Sequence, residues 1–141
     1  MKNKVDYIFI PRANISIVSA NQLIIKGSVY FTKENIYIVP FQTFSILMAN
    51  TNTKKSYTKG MLDDLKKQVK ALDLSSFNTF MKKVLDPEDV FVINELEVFE
   101  INVGFWIFGS IKIRKKGGRL HSIGVQPARL REKIRKYYIA G

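Results

Sequence analysis

The residues of this sequence with the clearest chemical use are cations gathered near its carboxyl terminus. Residues 109–141 hold ten Lys or Arg and one acid, Glu132, and so carry +9 of the formal net charge of +11. Side chains of this type bind phosphate and carboxylate groups through charge and hydrogen bonds. The predicted anion-binding set is Lys112, Arg114, Lys115, Lys116, Arg119, Arg129, Arg131 and Arg135.

An acidic stretch comes just before these cations. Six acids lie between Asp86 and Glu100, with no Lys or Arg among them. Where the acidic segment 95–100 pairs with the basic segment 110–115, cross-strand ion pairs cancel part of the positive field. Each surface pair contributes only about 0–1 kcal/mol. Because the acids are too few to neutralise ten bases, we expect a positive excess to survive folding.

A run of large apolar residues lies between Gly104 and Gly109, directly before the basic region. Phe105, Trp106 and Phe108 do not alternate with polar residues, so both faces of this segment are apolar. Large aromatic side chains usually end in cores, and we expect the run to pack under two predicted helices. The alternative is an exposed apolar anchor, which would enter a bilayer interface beside the basic hairpin or bind a partner protein.

No residue set with the spacing of a catalytic or metal centre is visible. The chain has no cysteine and a single histidine, His121, which argues against a zinc site. Asp86, Glu88 and Asp89 offer three carboxylates, but hard cations usually need more oxygens in a defined loop. Nucleophile-elbow and phosphate-cradling glycine motifs are absent from the sequence. We therefore predict no catalytic residue, no metal, no cofactor and no enzymatic activity.

Length and hydropathy predict a single domain over residues 1–141 that is not inserted in a membrane. The apolar run at 7–10 stops at Pro11-Arg12 and is shorter than the roughly 7–15 residues of a signal-peptide core. No window reaches the about 18 uncharged apolar residues of a membrane span. The expected location is the cytoplasm, with peripheral membrane association as the form of contact with lipid.

Alternating apolar residues predict strands on both sides of a helical segment. Gly27 indicates a bulge, Pro40 an edge or strand end, and Gly117-Gly118 a hairpin turn. Residues 19–22 are predicted to form a polar turn. The predicted strands cover residues 15–18, 23–32, 35–39, 41–48, 90–93, 96–103, 110–114 and 120–125.

Three amphipathic helices are predicted from apolar stripes at helical spacing. The first covers residues 58–72. The second covers residues 75–85, with Asp73 placed to cap it and Pro87 placed to end it. The third covers residues 127–138, where Pro127 suits the first turn and Leu130 and Ile134 lie on the buried stripe.

This arrangement resembles the pleckstrin-homology superfold, in particular the bacterial PH-like and GRAM-like domains. The resemblance covers about half the chain: residues 27–32 followed by 35–39, and residues 111–113 through the glycine turn to 123–125 and the last helix. It implies an α+β fold, an antiparallel β roll or barrel with a C-terminal capping helix. The two helices at about 58–85 are then an insertion, since the superfold normally joins its third and fourth strands by a short loop.

Members of this group bind phosphoinositides, other anionic lipids or protein segments, and as a rule they are not enzymes. Lipid-binding members commonly hold the headgroup with basic residues around the first hairpin. Here the turn at 19–22 is uncharged and only Lys26 lies nearby, which departs from that pattern.

The predicted function is a non-enzymatic binding module whose basic C-terminal face recognises an anionic membrane surface or an acidic protein segment. One alternative is a nucleic-acid-binding protein that presents the arginines of the helix at 127–138 to phosphates. The other is a structural or assembly domain with residues 105–108 in a homodimer interface.

Overall fold

The computed structural model describes residues 6–18, 23–45 and 57–139, and every structural statement below refers to these ranges. Within them the chain is α+β, with three α-helices and seven strands. The strands are β1 Tyr7–Ile17, β2 Leu23–Thr32, β3 Asn35–Ser45, β4 Val90–Val92, β5 Leu96–Phe105, β6 Phe108–Lys115 and β7 His121–Gly124. The helices are α1 Lys59–Lys70, α2 Leu74–Val84 and α3 Ala128–Ile139. The turn predicted at 19–22 lies outside the described residues.

All seven strands belong to one curled antiparallel sheet in the order β4-β3-β2-β1-β7-β6-β5. The first strand pairs with the last through Asn14↔Gly124 to Ile17↔His121. Two meanders, β1–β4 and β5–β7, therefore lie side by side, with β4 and β5 as the sheet edges. The hairpin formed by β5 and β6 lies at the opposite end of the strand order from β2 and β3.

The first strand is longer than its sequence pattern predicts. It begins at Tyr7 instead of Ile15, because the chain passes Pro11 and Arg12 through a bulge between Ile10 and Ala13 and stays paired with β2. A bulge tolerates proline, which has no N–H to donate to the ladder. The hydroxyl of Ser28 donates to the Pro11 carbonyl at 2.9 Å, which ties the bulge to β2.

The third strand passes through Pro40 without a break. Since β4 pairs only with Asn35–Tyr37, the Pro40 position pairs with β2 alone among the described strands, as the prediction of an edge requires. The prediction of a separate strand at 41–48 is wrong for its described part, because β3 continues to Ser45. Opposite Pro40 lies Gly27, where a Cβ would lie 2.9 Å from the Val39 carbonyl oxygen, so the close approach requires glycine.

Two apolar cores use opposite faces of the sheet. On β2, Val29 and Phe31 point into the curled side, while Tyr30 points to the face covered by α1 and α2. The helices place Leu65, Val69, Phe77 and Met81 in that second core. As predicted, Asp73 caps α2 by accepting a hydrogen bond from the Ser76 N–H at 2.8 Å.

The last helix closes the inner side of the sheet. Ile134 is fully buried there, and Tyr138 packs edge-on against Phe31 and Phe99. The Tyr138 hydroxyl donates to the Thr32 carbonyl at 2.8 Å, which fixes the C-terminal half of α3 against the turn between β2 and β3.

The packing of Phe77 tests whether α2 is integral to the fold. Its ring is fully buried and lies 5.3–5.9 Å from the rings of Tyr7, Tyr30 and Tyr37. We expect Phe77→Ala to lower the free energy of unfolding by about 3–5 kcal/mol because it leaves a cavity. Urea unfolding followed by circular dichroism measures this. The control Phe105→Ala removes an exposed ring and should change stability by less than about 0.5 kcal/mol; equal effects would contradict the packing of α2 on the sheet.

Candidate functional site

The aromatic run lies on the surface, at the tip of the hairpin between β5 and β6. Trp106 and Ile107 form the turn, and Phe105 pairs with Phe108 across it. The exposed fractions are 71% for Phe105, 70% for Trp106, 51% for Ile107 and 57% for Phe108. The expectation of burial under α1 and α2 is wrong, because those helices pack on the outer face of β1–β3, away from β5 and β6. We call residues 105–108 the aromatic tip.

The backbone of the aromatic tip is held in an unfavourable conformation. Trp106 has a φ of 52°, in the left-handed region where a side chain costs roughly 1–2 kcal/mol. The ring of Phe108 lies 5.6 Å from that of Phe105 and 6.1 Å from that of Trp106, so the side chains cluster among themselves. Such a turn persists only where surrounding groups fix it.

The group that fixes this turn is the guanidinium of Arg131 in α3. Its side chain is fully buried. Its Nε donates to the Val103 carbonyl at 2.7 Å and its Nη2 to the Trp106 carbonyl at 2.6 Å. Its Nη1 donates to the Val125 carbonyl at 2.7 Å and is 3.3 Å from Oε1 of Gln126. One side chain thus joins β5, the tip and the segment after β7.

The predicted anion-binding role of Arg131 is wrong. A guanidinium is planar, with N–H donors in a fixed fork, and here those donors are occupied by backbone carbonyls inside the protein. Because α3 must pack its inner face on the sheet, the residue that shares this face with Ile134 points inward.

Three other members of the predicted set also have partners within the protein. Arg114 Nη2 lies 2.9 Å from Oε1 of Glu97, so the predicted pairing of acidic and basic strands is confirmed at this position. Arg135 pairs with Glu132 at 3.0 Å, and this hydrogen bond lowers the pKa of the Glu132 carboxyl. Lys115 donates to the Pro87 carbonyl at 2.8 Å.

The remaining members are exposed but do not meet at one place. Lys112, Lys116, Arg119 and Arg129 show no ion pair within the described part of the chain. Lys116 and Arg119 follow the end of β6, whereas the aromatic tip lies at its start. At about 3.3 Å per residue, the eight-residue strand separates them by more than 20 Å. The basic turn that holds Lys116 and Arg119 therefore lies at the far end of β6 from the aromatic tip. Arg129 lies in the first turn of α3, at the helix end that holds the tip.

The other residues considered for chemistry lie at the opposite end of β6. The carboxylates of Asp86, Glu88 and Asp89 lie within 4.8 Å of one another. They supply one oxygen each, against about 6–8 ligands for Ca²⁺. Nδ1 of His121 lies 3.0 Å from the Arg119 carbonyl oxygen. Neither arrangement assembles a nucleophile with a base, so we assign no reaction to them.

The aromatic tip sits in a part of the chain without carboxylates. No Asp or Glu occurs between Glu100 and Glu132, so a negatively charged surface approaching the tip meets no local repulsion from this segment. No helix within residues 57–139 is long and apolar enough to cross a membrane.

The dependence of the tip on Arg131 can be tested by substitution. Arg131→Met removes the donors and leaves buried carbonyls without partners, each costing about 1–3 kcal/mol. We expect a loss of about 3 kcal/mol in unfolding free energy and faster hydrogen exchange of the amides at 103–107, measured by NMR. Arg129→Met, an exposed change in the same helix, is the control.

A substitution in β6 tests the same interaction between Arg131 and the tip. A Cβ on Gly109 would collide with Nε of Arg131 and the Val103 carbonyl, so Gly109→Ala should also accelerate exchange at the tip. Unchanged exchange in both Arg131→Met and Gly109→Ala would show that other contacts hold the tip.

Comparison with protein-family models, with curated protein sequences and with solved structures finds no match to this chain. The PH-like and GRAM-like resemblance stays a prediction from the sequence.

Proposed function

We propose that this protein is a non-enzymatic module that binds anionic membrane surfaces by inserting its aromatic tip into the bilayer interface. The observation that carries the proposal is the exposure of four consecutive apolar residues, 105–108, on a hairpin fixed by Arg131. Monomeric proteins rarely expose contiguous apolar groups without a binding role. The proposed location is cytoplasmic and peripheral to the membrane, since the cytoplasmic leaflet carries anionic lipids.

The composition of the tip suits lipid headgroups. Trp concentrates at membrane interfaces, where its ring is buried and its N–H stays near water, and Phe is among the residues that interfacial segments bury in the acyl boundary. Complete burial of one large apolar side chain contributes about 1.5–3 kcal/mol. A few partly inserted side chains of the tip therefore give reversible binding.

Charge supplies the second contribution. A basic residue near an anionic surface contributes about 1 kcal/mol to binding. Arg129 can contribute in this way because it lies in the first turn of α3, at the helix end that holds the tip. The net charge of +11 attracts the protein to such a surface at longer range. Stable peripheral binding generally needs two such signals.

The geometry favours a bilayer over a protein partner. A stable protein interface buries about 800 Å² on each partner and uses about 20–30 residues per side. The aromatic tip offers four residues on a two-residue turn. A narrow apolar projection fits a fluid interface better than a second folded surface.

The nucleic-acid alternative loses support from the same contacts. Of the three arginines in α3, Arg131 is buried and Arg135 is paired with Glu132. Arg129 alone has its guanidinium on an exposed side chain with no ion pair in the described residues.

We also propose that the fold is the PH-like roll. The single antiparallel sheet, the pairing of its first and last strands, and α3 on its inner side support this proposal. The helices α1 and α2 would then be an insertion between the third and fourth strands.

Fluorescence tests the membrane proposal directly, because Trp106 is the single tryptophan of the chain. We expect its emission to shift to the blue when vesicles of phosphatidylserine and phosphatidylcholine are added, and to stay unchanged with phosphatidylcholine alone. No shift with the anionic vesicles would contradict the proposal. A blue shift of equal size with both kinds of vesicle would show that the charge of the lipid does not contribute to binding.

Co-sedimentation with the same vesicles provides the variant test. We expect Phe105→Ser/Phe108→Ser to weaken binding at least about tenfold, since it removes two apolar groups of about 1.5–3 kcal/mol each on full burial. The control Val18→Ser changes an apolar residue that is 64% exposed elsewhere on the surface. Light scattering checks the assembly alternative: a mass above that of the monomer that falls in the double variant would favour a dimer.

A further inference from the structure

A groove of about 720 Å³ lies between the bulge of β1, the strands β2 and β3, the start of α1 and the start of α3. Its volume is within the roughly 300–1,000 Å³ of small-molecule sites. The aromatic residues Phe9, Tyr30 and Phe41 contribute to its walls. None of the residues predicted to bind anions lines it.

The walls of this groove combine aromatic rings with polar side chains, among them Ser28, Thr58 and Gln126. The rings of Phe9 and Tyr30 lie 4.6 Å apart and form a continuous aromatic surface. Tyr30 is only 1% exposed. Burial raises the pKa of Tyr30 well above that of an ordinary phenol, with a further contribution from Tyr7. The Tyr30 hydroxyl therefore stays protonated and can donate a hydrogen bond.

Cations border the same groove. The guanidinium of Arg12 lies 5.5 Å from the centre of the Phe41 ring, and Nζ of Lys66 lies 5.2 Å from the centre of the Phe9 ring. Lys59 also lines the groove, against a single carboxylate, Asp63. Cations that rest on aromatic faces leave N–H groups directed to solvent, where an anion can accept them.

We infer that this groove binds a single-chain anionic amphiphile, of which a fatty carboxylate is the simplest example. The carboxylate is placed between Arg12 and Lys66, and the hydrocarbon chain lies along Phe9 and Phe41. The excess of cations over Asp63 selects against an amphiphile with a positive head. Gln126 also lines the groove, and its Nε2 lies 3.4 Å from the Ile107 carbonyl oxygen of the aromatic tip. The proposed ligand contacts use Arg12, Lys66, Phe9 and Phe41 and none of the tip residues, so the inference does not depend on the membrane proposal.

Calorimetric titration with decanoate tests the inference, and decyltrimethylammonium has the same chain with the opposite charge. We expect decanoate to bind and the cationic amphiphile to bind at least about tenfold more weakly. Arg12→Ala/Lys66→Ala should weaken decanoate binding at least about tenfold, because hydrogen bonds to charged groups are the stronger class. The matched control is Lys82→Ala/Lys83→Ala, which removes two exposed cations from α2.

NMR titration of the unmodified protein locates the ligand without relying on a variant. Decanoate should shift the amides of residues 9–12 and 57–66 first. Absence of decanoate binding, shifts confined to other residues, or equal affinity in both double variants would overturn the inference. Loss of vesicle binding in Phe105→Ser/Phe108→Ser with decanoate affinity retained would confirm that the two sites are independent.

Discussion

The buried guanidinium of Arg131 is the interaction on which the exposed part of this fold depends. Removing a charged group from water costs several kcal/mol, and this cost is offset only because carbonyls of Val103, Trp106 and Val125 accept its hydrogen bonds at 2.6–2.7 Å. These carbonyls belong to β5, to the tip and to the chain after β7. A single side chain therefore connects the capping helix with a turn whose own backbone conformation is unfavourable.

Because of this contact, not every cation that contributes to the net charge of the protein can bind a ligand. Backbone carbonyls are dipoles without net charge, so Arg131 still contributes to the total of +11 and to the long-range field. It contributes no donor to a ligand. Arg114 and Arg135 behave differently, because Glu97 and Glu132 neutralise them directly. The cations of the basic stretch therefore fall into three groups: exposed cations that attract anions, cations paired with a carboxylate, and Arg131, which stabilises the fold.

The sequence predicts those elements whose signals are local. The apolar stripes of α1 and α2, and the cap at Asp73, follow from neighbouring residues. The start of β1 is missed because Pro11 resembles a strand end until its bulge and its bond to Ser28 are seen. Exposure of the aromatic tip cannot be read from the run itself, since it depends on which strands α1 and α2 cover. The groove cannot be predicted from the sequence because it joins residues distant in sequence, such as Arg12 and Phe41.

The distance over which charge acts explains why the two proposed sites use different parts of the chain. Exposed charges are screened beyond about 8 Å at physiological ionic strength, so a binding site depends on the cations immediately around it. The groove takes Arg12 and Lys66 from the first 108 residues, where 13 cations and 11 acids nearly balance. Local geometry therefore concentrates positive charge even where composition is almost neutral. Conversely, the strongly basic terminus is spread over both ends of β6, so its excess favours attraction to a surface more than recognition of one small ligand.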